Sequence, residues 1–184
     1  ILVDWIYNRS RPDDNAAPDA IGSFKNIPVY EMSQAGTDLV HTGGNFMADG
    51  FGTAFSSELV DYENSASGAF NLTVKTPAEV DQLMEDWMGI DTYVKMTVLP
   101  YDDIHHIDMH MKLIDEETLV IGEFPTSVSD GPQIEMNIQY IQDNFTSVYG
   151  TPYKIIRIPM VPSTSGGYPT GSWGGASYRT YANN

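Results

Sequence analysis

The 184-residue sequence contains no cysteine and has few basic residues. Without cysteine, a disulfide scaffold, a thiolate zinc site and, within this stretch, a cysteine nucleophile are excluded. The 9 Lys and Arg residues are outnumbered by 25 Asp and Glu residues, so the formal net charge is −16. Because phosphate groups bind to basic surfaces, we expect no nucleic-acid partner, and an anionic membrane surface is disfavoured for the same reason.

Long apolar runs are also missing. No run approaches the roughly 18 to 20 residues that a membrane-spanning helix needs, and the mean hydropathy is −0.26. The chain is nevertheless 41% hydrophobic and 11% aromatic, which is sufficient for a folded core. It does not begin with methionine, so we expect Ile1 to be a cut or processed end.

Short-range patterns predict alternating strands and helices. The opening ILVDWIY predicts a strand, and the following PDDNAAPDAIG, rich in turn formers, predicts a loop. Asp49 and Gly50 predict a hairpin turn. Thr76 and Glu79 form a T-x-x-E capping box, which predicts that a helix starts there and ends near Gly89. A second helix is predicted from about Pro132 to Gly150, with Phe145 and Val148 on its buried side.

Two segments of the sequence resemble each other. WMGIDTYVKMTVLP and SVYGTPYKIIRIPMVP each combine a helix end, a glycine and a β-rich strand, and Gly89 and Gly150 lie 61 positions apart (150 − 89). This spacing is typical of a repeated unit, here a hairpin, a helix and a strand. Ordinary α/β chains also repeat helix and strand, so the pattern alone leaves the fold open.

One segment combines titratable side chains with a period of two. Ile107, Met109, Met111 and Leu113 alternate with His106, Asp108, His110 and Lys112, which predicts one strand with the second set on one face. Three interpretations remain open: acid-base chemistry by the His and Asp pair, a metal site formed by the His and Asp side chains, or a solvated strand face.

Two further segments each permit a functional and a structural interpretation. Arg9 and Arg11 are half of the four arginines in an acidic chain, and a pair of guanidinium groups is suited to carboxylate capture. They could equally be a surface pair that balances nearby aspartates. Gly43 and Gly44 allow a ligand to approach the backbone closely, but paired glycines also form simple turns.

Four motifs in order carry a resemblance over nearly the whole chain: YNRSRP, HTGGNFMADG, IHHIDMHMKLIDEETLVIGEF and SYRTYAN. The sequence resembles the bacterial peptidylarginine deiminase and agmatine deiminase family of guanidine-modifying enzymes. The resemblance implies an α/β fold that is part of a five-module α/β propeller, the pentein fold, with about three hairpin, helix and strand modules in this chain. Residues 1–184 would be the central part of a single catalytic domain.

The resemblance also implies roles for particular residues. His106 would donate a proton to departing ammonia, Asp108 would bind the substrate guanidinium, and Asn183 would lie near the nucleophile. Arg9 and Arg11 match the pair that binds the carboxylate of a C-terminal arginine. The implied partners are an arginine-containing peptide or a small guanidine, and no cofactor is implied. The implied product is citrulline, with agmatine deimination or non-catalytic arginine binding as alternatives.

The sequence departs from the family pattern in three ways. The family's second guanidinium-binding aspartate lies before the equivalent of Ile1, and its cysteine lies after the equivalent of Asn184. The tyrosine often found before the IHHID element is Asp103 here. We therefore expect a fragment, inactive alone, with the rest of the domain on a missing segment or a second chain.

Overall fold

The protein forms a mixed α/β fold in the computed structural model, which describes residues 1–170, 180 and 182. The strands are β1 (Leu2–Tyr7), β2 (Val29–Met32), β3 (Val40–His41), β4 (Met47–Ala48), β5 (Thr53–Ser57), β6 (Thr92–Met96), β7 (Met111–Asp115), β8 (Thr118–Glu123) and β9 (Lys154–Pro159). The α-helices are α1 (Pro12–Asn15), α2 (Ala17–Lys25), α3 (Leu59–Asn64), α4 (Pro77–Met88) and α5 (Gly131–Asn144). Within the described residues, no helix has the length and apolarity required to span a bilayer.

The strands form three small sheets, in the orders β2-β1-β3, β4-β5-β6 and β7-β8-β9. In the second and third sheets, an antiparallel hairpin is followed by helix and then by a strand parallel to the second hairpin strand. The predicted hairpin, helix and strand module is therefore present twice. In the first sheet β1 pairs in parallel with β2 and with β3. No sheet closes on itself in the described part of the chain.

Two compact units divide the chain. The first comprises Ile1–Gly43 and Leu59–Asp91, and the second comprises Gly44–Glu58 and Thr92–Asn184. Fully buried side chains of the first unit include those of Met32, Leu39, Val60, Val80 and Met84. The core of the second unit is larger, and its most deeply buried members include Phe55, Val94, Ile107, Met111, Leu119 and Ile141.

Local signals for helix α4 and for the first hairpin are confirmed. Thr76 Oγ1 accepts a hydrogen bond from the Glu79 backbone N–H at 3.3 Å, and the Glu79 carboxylate accepts one from the Thr76 N–H at 2.7 Å. Gly89 ends the helix with φ of 68°, in the left-handed region that favours glycine. In the hairpin turn, Asp49 Oδ1 accepts from the N–H groups of Phe51 and Thr53.

Two local predictions are wrong. Residues after β1 form α1 and α2 rather than a loop; each helix has a proline in its first turn, where the missing N–H costs no helical hydrogen bond. Helix α5 ends at Asn144, because Phe145 adopts an extended conformation with φ of −133° and ψ of 154°. Phe145 still packs against the core, but Val148 is 43% exposed, so the predicted buried face stops one turn early.

Candidate active site

His106 and Asp108 lie at a 3₁₀ turn, Ile107–Met109, and not on a strand as predicted. Strand β7 begins only at Met111. Before the turn, Asp102 Oδ1 accepts a hydrogen bond from the Ile104 N–H at 2.9 Å, and His105 adopts the left-handed conformation with φ of 54°. This reversal interrupts the extended chain, so the period-two pattern does not reflect strand geometry here.

Gly44 lies directly against the two candidate side chains, within the second unit. A Cβ atom at this position would lie 3.0 Å from Asp108 Oδ2 and 3.1 Å from His106 Cγ, and closer still to His106 Nδ1. Carbon atoms normally pack at about 3.5 to 4.0 Å, so only glycine fits beside these side chains. The Gly43–Asn45 segment is thus both a 3₁₀ turn and a close backbone approach.

A buried amide connects this glycine turn to the loop that carries the histidine. Asn45 Oδ1 accepts hydrogen bonds from the Ser57 N–H and from Ser57 Oγ, each at 2.9 Å. Ser57 Oγ also lies 2.7 Å from the His105 carbonyl oxygen, to which it can donate instead. Asn45 is fully buried and Ser57 nearly so, and these bonds place the turn, strand β5 and the His105 backbone in fixed relation.

The electrostatic environment of Asp108 suits a cationic ligand. Burial raises the pKa of its carboxyl, the charge of Asp102 raises it further, and the charge of Lys112 opposes both effects. Asp108 Oδ1 is buried and has no hydrogen-bond partner among the described residues. A bound cation with N–H donors would satisfy this oxygen and stabilise the ionised carboxylate.

His110 does not join His106 and Asp108. Its side chain is 94% buried and lines a cavity of about 10 Å³ with Met96, Met111, Ile134 and other core residues. Burial lowers the pKa of His110 to about 4, so this ring is neutral at pH 7. Within the described residues no three His, Asp or Glu side chains are grouped so as to hold a metal ion. The His and Asp side chains on which the metal interpretation depends are therefore not brought together as ligands of one ion.

Arg9 and Arg11 lie in the first unit, just after β1. Arg11 is largely exposed: it approaches Asp14 at 3.5 Å and its guanidinium lies over the Tyr7 ring at 5.9 Å. Arg9 acts electrostatically on a half-buried carboxyl, that of Glu63 on α3. Asn183, the remaining predicted site residue, lies outside the described residues.

Sequence reasoning missed the support supplied by Ser57 and Glu63. Both act through contacts distant in sequence, of Ser57 with His105 and of Glu63 with Asn8, and no local pattern signals such pairs. The one available signal was their place in the chain. Ser57 is the last residue of β5, a fully buried strand that contains both polar and apolar residues, and Glu63 lies on the helix that follows.

A match to a known family adds to this geometry. The sequence profile of the Porphyromonas-type peptidyl-arginine deiminase family matches residues 2–184. The chain belongs to this family. The resemblance deduced from the four motifs is thereby confirmed, and the guanidine-modifying deiminases are the class to which this chain is assigned.

Solved deiminase structures share the fold of this family member. They include a Porphyromonas gingivalis protein provisionally described as an arginine deiminase, with a TM-score of 0.73 and 17% identity. The agmatine deiminase of Enterococcus faecalis has a TM-score of 0.73 and 16% identity. A C. jejuni agmatine deiminase with a cysteine-to-serine substitution, solved with substrate bound, has a TM-score of 0.67 and 16% identity.

The match is nearly complete for this deiminase-family chain but partial for its neighbours. It covers 98% of this chain in each comparison, against 52% of the P. gingivalis chain, 53% of the E. faecalis chain and 50% of the C. jejuni chain. The chain thus spans about half the length of the solved structures that it matches.

Proposed function

We propose that this chain is the central part of a single deiminase catalytic domain, a portion of a five-module α/β propeller. The complete protein hydrolyses the guanidinium of a C-terminal arginine to citrulline and ammonia. The observation that carries the proposal is the packing of Gly44 against His106 and Asp108, which brings an imidazole and a carboxylate together beside the same glycine. Membership of the deiminase family supports the reaction class.

Asp108 binds the substrate guanidinium in this proposal. A guanidinium is a planar cation whose N–H groups match a carboxylate in a bidentate pair. The unpartnered Oδ1 of Asp108 is one acceptor for such a donor. Burial raises the pKa of Asp108 and thus disfavours its ionised form. The arriving cation opposes this effect and stabilises the carboxylate that the pair requires.

His106 acts as general acid and then as general base. A thiolate attacks the guanidinium carbon, and the C–N bond breaks as the imidazolium protonates the departing nitrogen, which leaves as ammonia. The resulting thiouronium is attacked by water, whose proton passes to the neutral imidazole. The C–S bond then breaks as the hydroxyl proton of this adduct passes to solvent or to the released ammonia, which frees citrulline and regenerates the thiolate.

The nucleophile must come from outside these 184 residues, because they contain no cysteine. It would lie on another segment of the same protein or on a second chain that carries the rest of the domain. Asn183 is assigned a place beside it by the resemblance of the YAN element to the family motif. The 184-residue chain alone is therefore expected to bind guanidinium compounds without turning them over.

Arg9 and Arg11 favour a substrate with a carboxylate. In the proposal they bind the terminal carboxylate of a peptide that ends in arginine. Agmatine is the alternative substrate, which the solved neighbours named as agmatine deiminases support. Agmatine has no carboxylate for the two arginines to bind, so the peptide substrate is preferred.

Citrulline formation by the full-length protein tests the proposal. The substrates are a peptide that ends in arginine, the same peptide with an amidated C-terminus, and agmatine. Asp108→Asn is expected to lower kcat/KM about 100-fold or more by removing a charge-assisted pair, and His106→Gln to lower kcat about 100-fold or more. Asp143→Asn, on the exposed side of α5, is the control and should leave the rates unchanged.

Three results would contradict the proposal in different ways. Absence of citrulline with all three substrates, despite saturable arginine binding, would indicate a non-catalytic binding module. Turnover of agmatine alone would replace the substrate. Full activity in Asp108→Asn would remove Asp108 from the site.

A further inference from the structure

A half-buried carboxyl on α3, that of Glu63, contacts the segment that carries Arg9. Asn8 Nδ2 donates a hydrogen bond to Glu63 Oε1 at 2.6 Å, across 55 positions of sequence and within the first unit. The other oxygens of this pair, Glu63 Oε2 and Asn8 Oδ1, are buried and have no hydrogen-bond partner among the described residues. The pair is therefore half satisfied, which is costly for buried polar atoms.

The carboxyl of Glu63 changes its protonation state close to pH 7. Burial raises the pKa of Glu63 to about 7, although the hydrogen bond from Asn8 and the positive charge of Arg9 both lower it. Helix α3 packs against β3, which carries His41, and against α4. The charged side chains of α4 are those of Glu79, Asp81, Glu85 and Asp86. Within the described residues, Arg9 is the one charged side chain that shifts the pKa of Glu63.

We propose that Glu63 is a positioning residue for Asn8 and Arg9 that couples recognition of the substrate carboxylate to uptake of a proton. The inference rests on the proposed function, in which Arg9 binds that carboxylate. Glu63 itself does not touch the substrate. It acts through its hydrogen bond to Asn8, which precedes Arg9 in the chain, and through its own charge.

Protonation of Glu63 favours carboxylate binding for two reasons. An ionised Glu63 partly neutralises Arg9 and repels a second carboxylate, whereas a protonated Glu63 does neither. Protonation also gives Glu63 an O–H donor beside Asn8, whose side-chain oxygen has no partner among the described residues. A carboxylic acid and an amide in this arrangement can form two reciprocal hydrogen bonds. Substrate binding is therefore tighter below the pKa of Glu63 and weaker above it.

The expected consequence is a KM that depends on pH only for substrates with a carboxylate. A nearby like charge commonly shifts a carboxyl pKa by about one unit, which corresponds to about tenfold in affinity. For the full-length protein we expect KM of a peptide ending in arginine to rise about fivefold from about pH 6 to about pH 8, toward the full tenfold at higher pH. The KM of the amidated peptide should change much less, and kcat should follow the same profile for both.

Glu63→Gln is the decisive variant. Glutamine keeps an acceptor for Asn8 Nδ2, adds a donor and is neutral at every pH, so it mimics the protonated carboxyl. KM of the free-carboxylate peptide should stay low across the range, with kcat unchanged. Glu58→Gln, an exposed glutamate next to α3, is the matched control and should keep the pH dependence of the wild type. Glu63→Asp should restore part of that dependence.

The outcomes separate this inference from the proposed function. If Arg9→Gln leaves KM of the free-carboxylate peptide unchanged, the proposed role of Arg9 fails and the inference fails with it. If Arg9→Gln raises that KM but Glu63→Gln retains the wild-type pH dependence, only the role of Glu63 is overturned. Should Glu63→Gln not fold, equal pH dependence of wild-type KM for free and amidated peptides would overturn it instead.

Discussion

Replacement of Gly44 by alanine tests the arrangement of the candidate site most directly. The new Cβ would lie 3.0 Å from Asp108 Oδ2, 3.1 Å from His106 Cγ and nearer still to His106 Nδ1. Since ordinary contacts lie at about 3.5 to 4.0 Å, the imidazole must retreat by about 1 Å. A displacement of about 1 Å at a catalytic group can cost about 100-fold in rate. Overpacking of this kind costs about 1 to 3 kcal/mol of stability.

Gly43→Ala is the matched control for this substitution. A Cβ at Gly43 meets no atom within 4 Å, and neither glycine has a positive φ, so both backbones accept alanine without strain. The two variants differ only in whether the new methyl group meets His106 and Asp108. We expect kcat/KM of the full-length protein for citrulline formation to fall about 100-fold in Gly44→Ala and to stay within about twofold of wild type in Gly43→Ala.

The two glycine variants also have outcomes that would contradict the proposed role of Gly44. Equal citrulline rates in the two variants would show that the position of His106 does not limit the reaction. A separate thermal melt distinguishes the alternatives: a large fall in Tm with unchanged rate per folded molecule would indicate that Gly44 serves packing alone.

Two further predictions concern stability, each measured as urea denaturation of the full-length protein. Asp38→Asn should lower the free energy of unfolding by about 3 to 5 kcal/mol, because it leaves the ammonium of Lys75 buried without its charged partner at 2.9 Å. Glu117→Gln, which removes an exposed pair, should cost less than about 1 kcal/mol; equal losses would contradict the argument. Burial alone would raise the pKa of Asp38, but hydrogen bonds from Thr73 and Lys75 hold it well below its usual range, so this contribution is present at neutral pH and is lost in acid. His110→Leu should remove a different acid sensitivity. Because burial lowers the pKa of His110 from 6.5 to about 4, the unfolded state binds its proton first, and the wild type should lose about 3 kcal/mol as pH falls through that window. The same loss in the leucine variant would refute the assignment.

The parts of the fold that were predictable from sequence are those set by short-range chemistry. Thr76 and Glu79, three positions apart, each accept a hydrogen bond from the other's backbone N–H, and Asp49 accepts one from the N–H of Thr53, four positions later. Both motifs can therefore be recognised without tertiary context. The loop prediction for the segment after β1 is wrong because Pro, Asp and Asn are common both in loop turns and in the first turn of a helix. Proline at the start of both α1 and α2 was the signal that could have decided it.

The strand prediction for His106–Leu113 failed for a different reason. Ile107, His110 and Met111 are the buried residues of the segment, a spacing set by a 3₁₀ turn and not by a pleat. Alternation of residue type could not distinguish the two, because it does not show that the backbone reverses at His105. That reversal depends on the Asp102 side chain and on the contact of His105 with Ser57, which are tertiary features.

Repetition of the module explains how one glycine comes to lie against two polar side chains. Each hairpin is preceded by a 3₁₀ turn, Gly43–Asn45 before β4 and Ile107–Met109 before β7, 64 positions apart (107 − 43). Strands β4 and β7 contact each other, so the equivalent turns of two successive modules meet. Two bulky turns could not share this space. One copy therefore carries Gly44 and the other carries His106 and Asp108, and the same contact that joins the modules brings an imidazole and a carboxylate together beside one glycine.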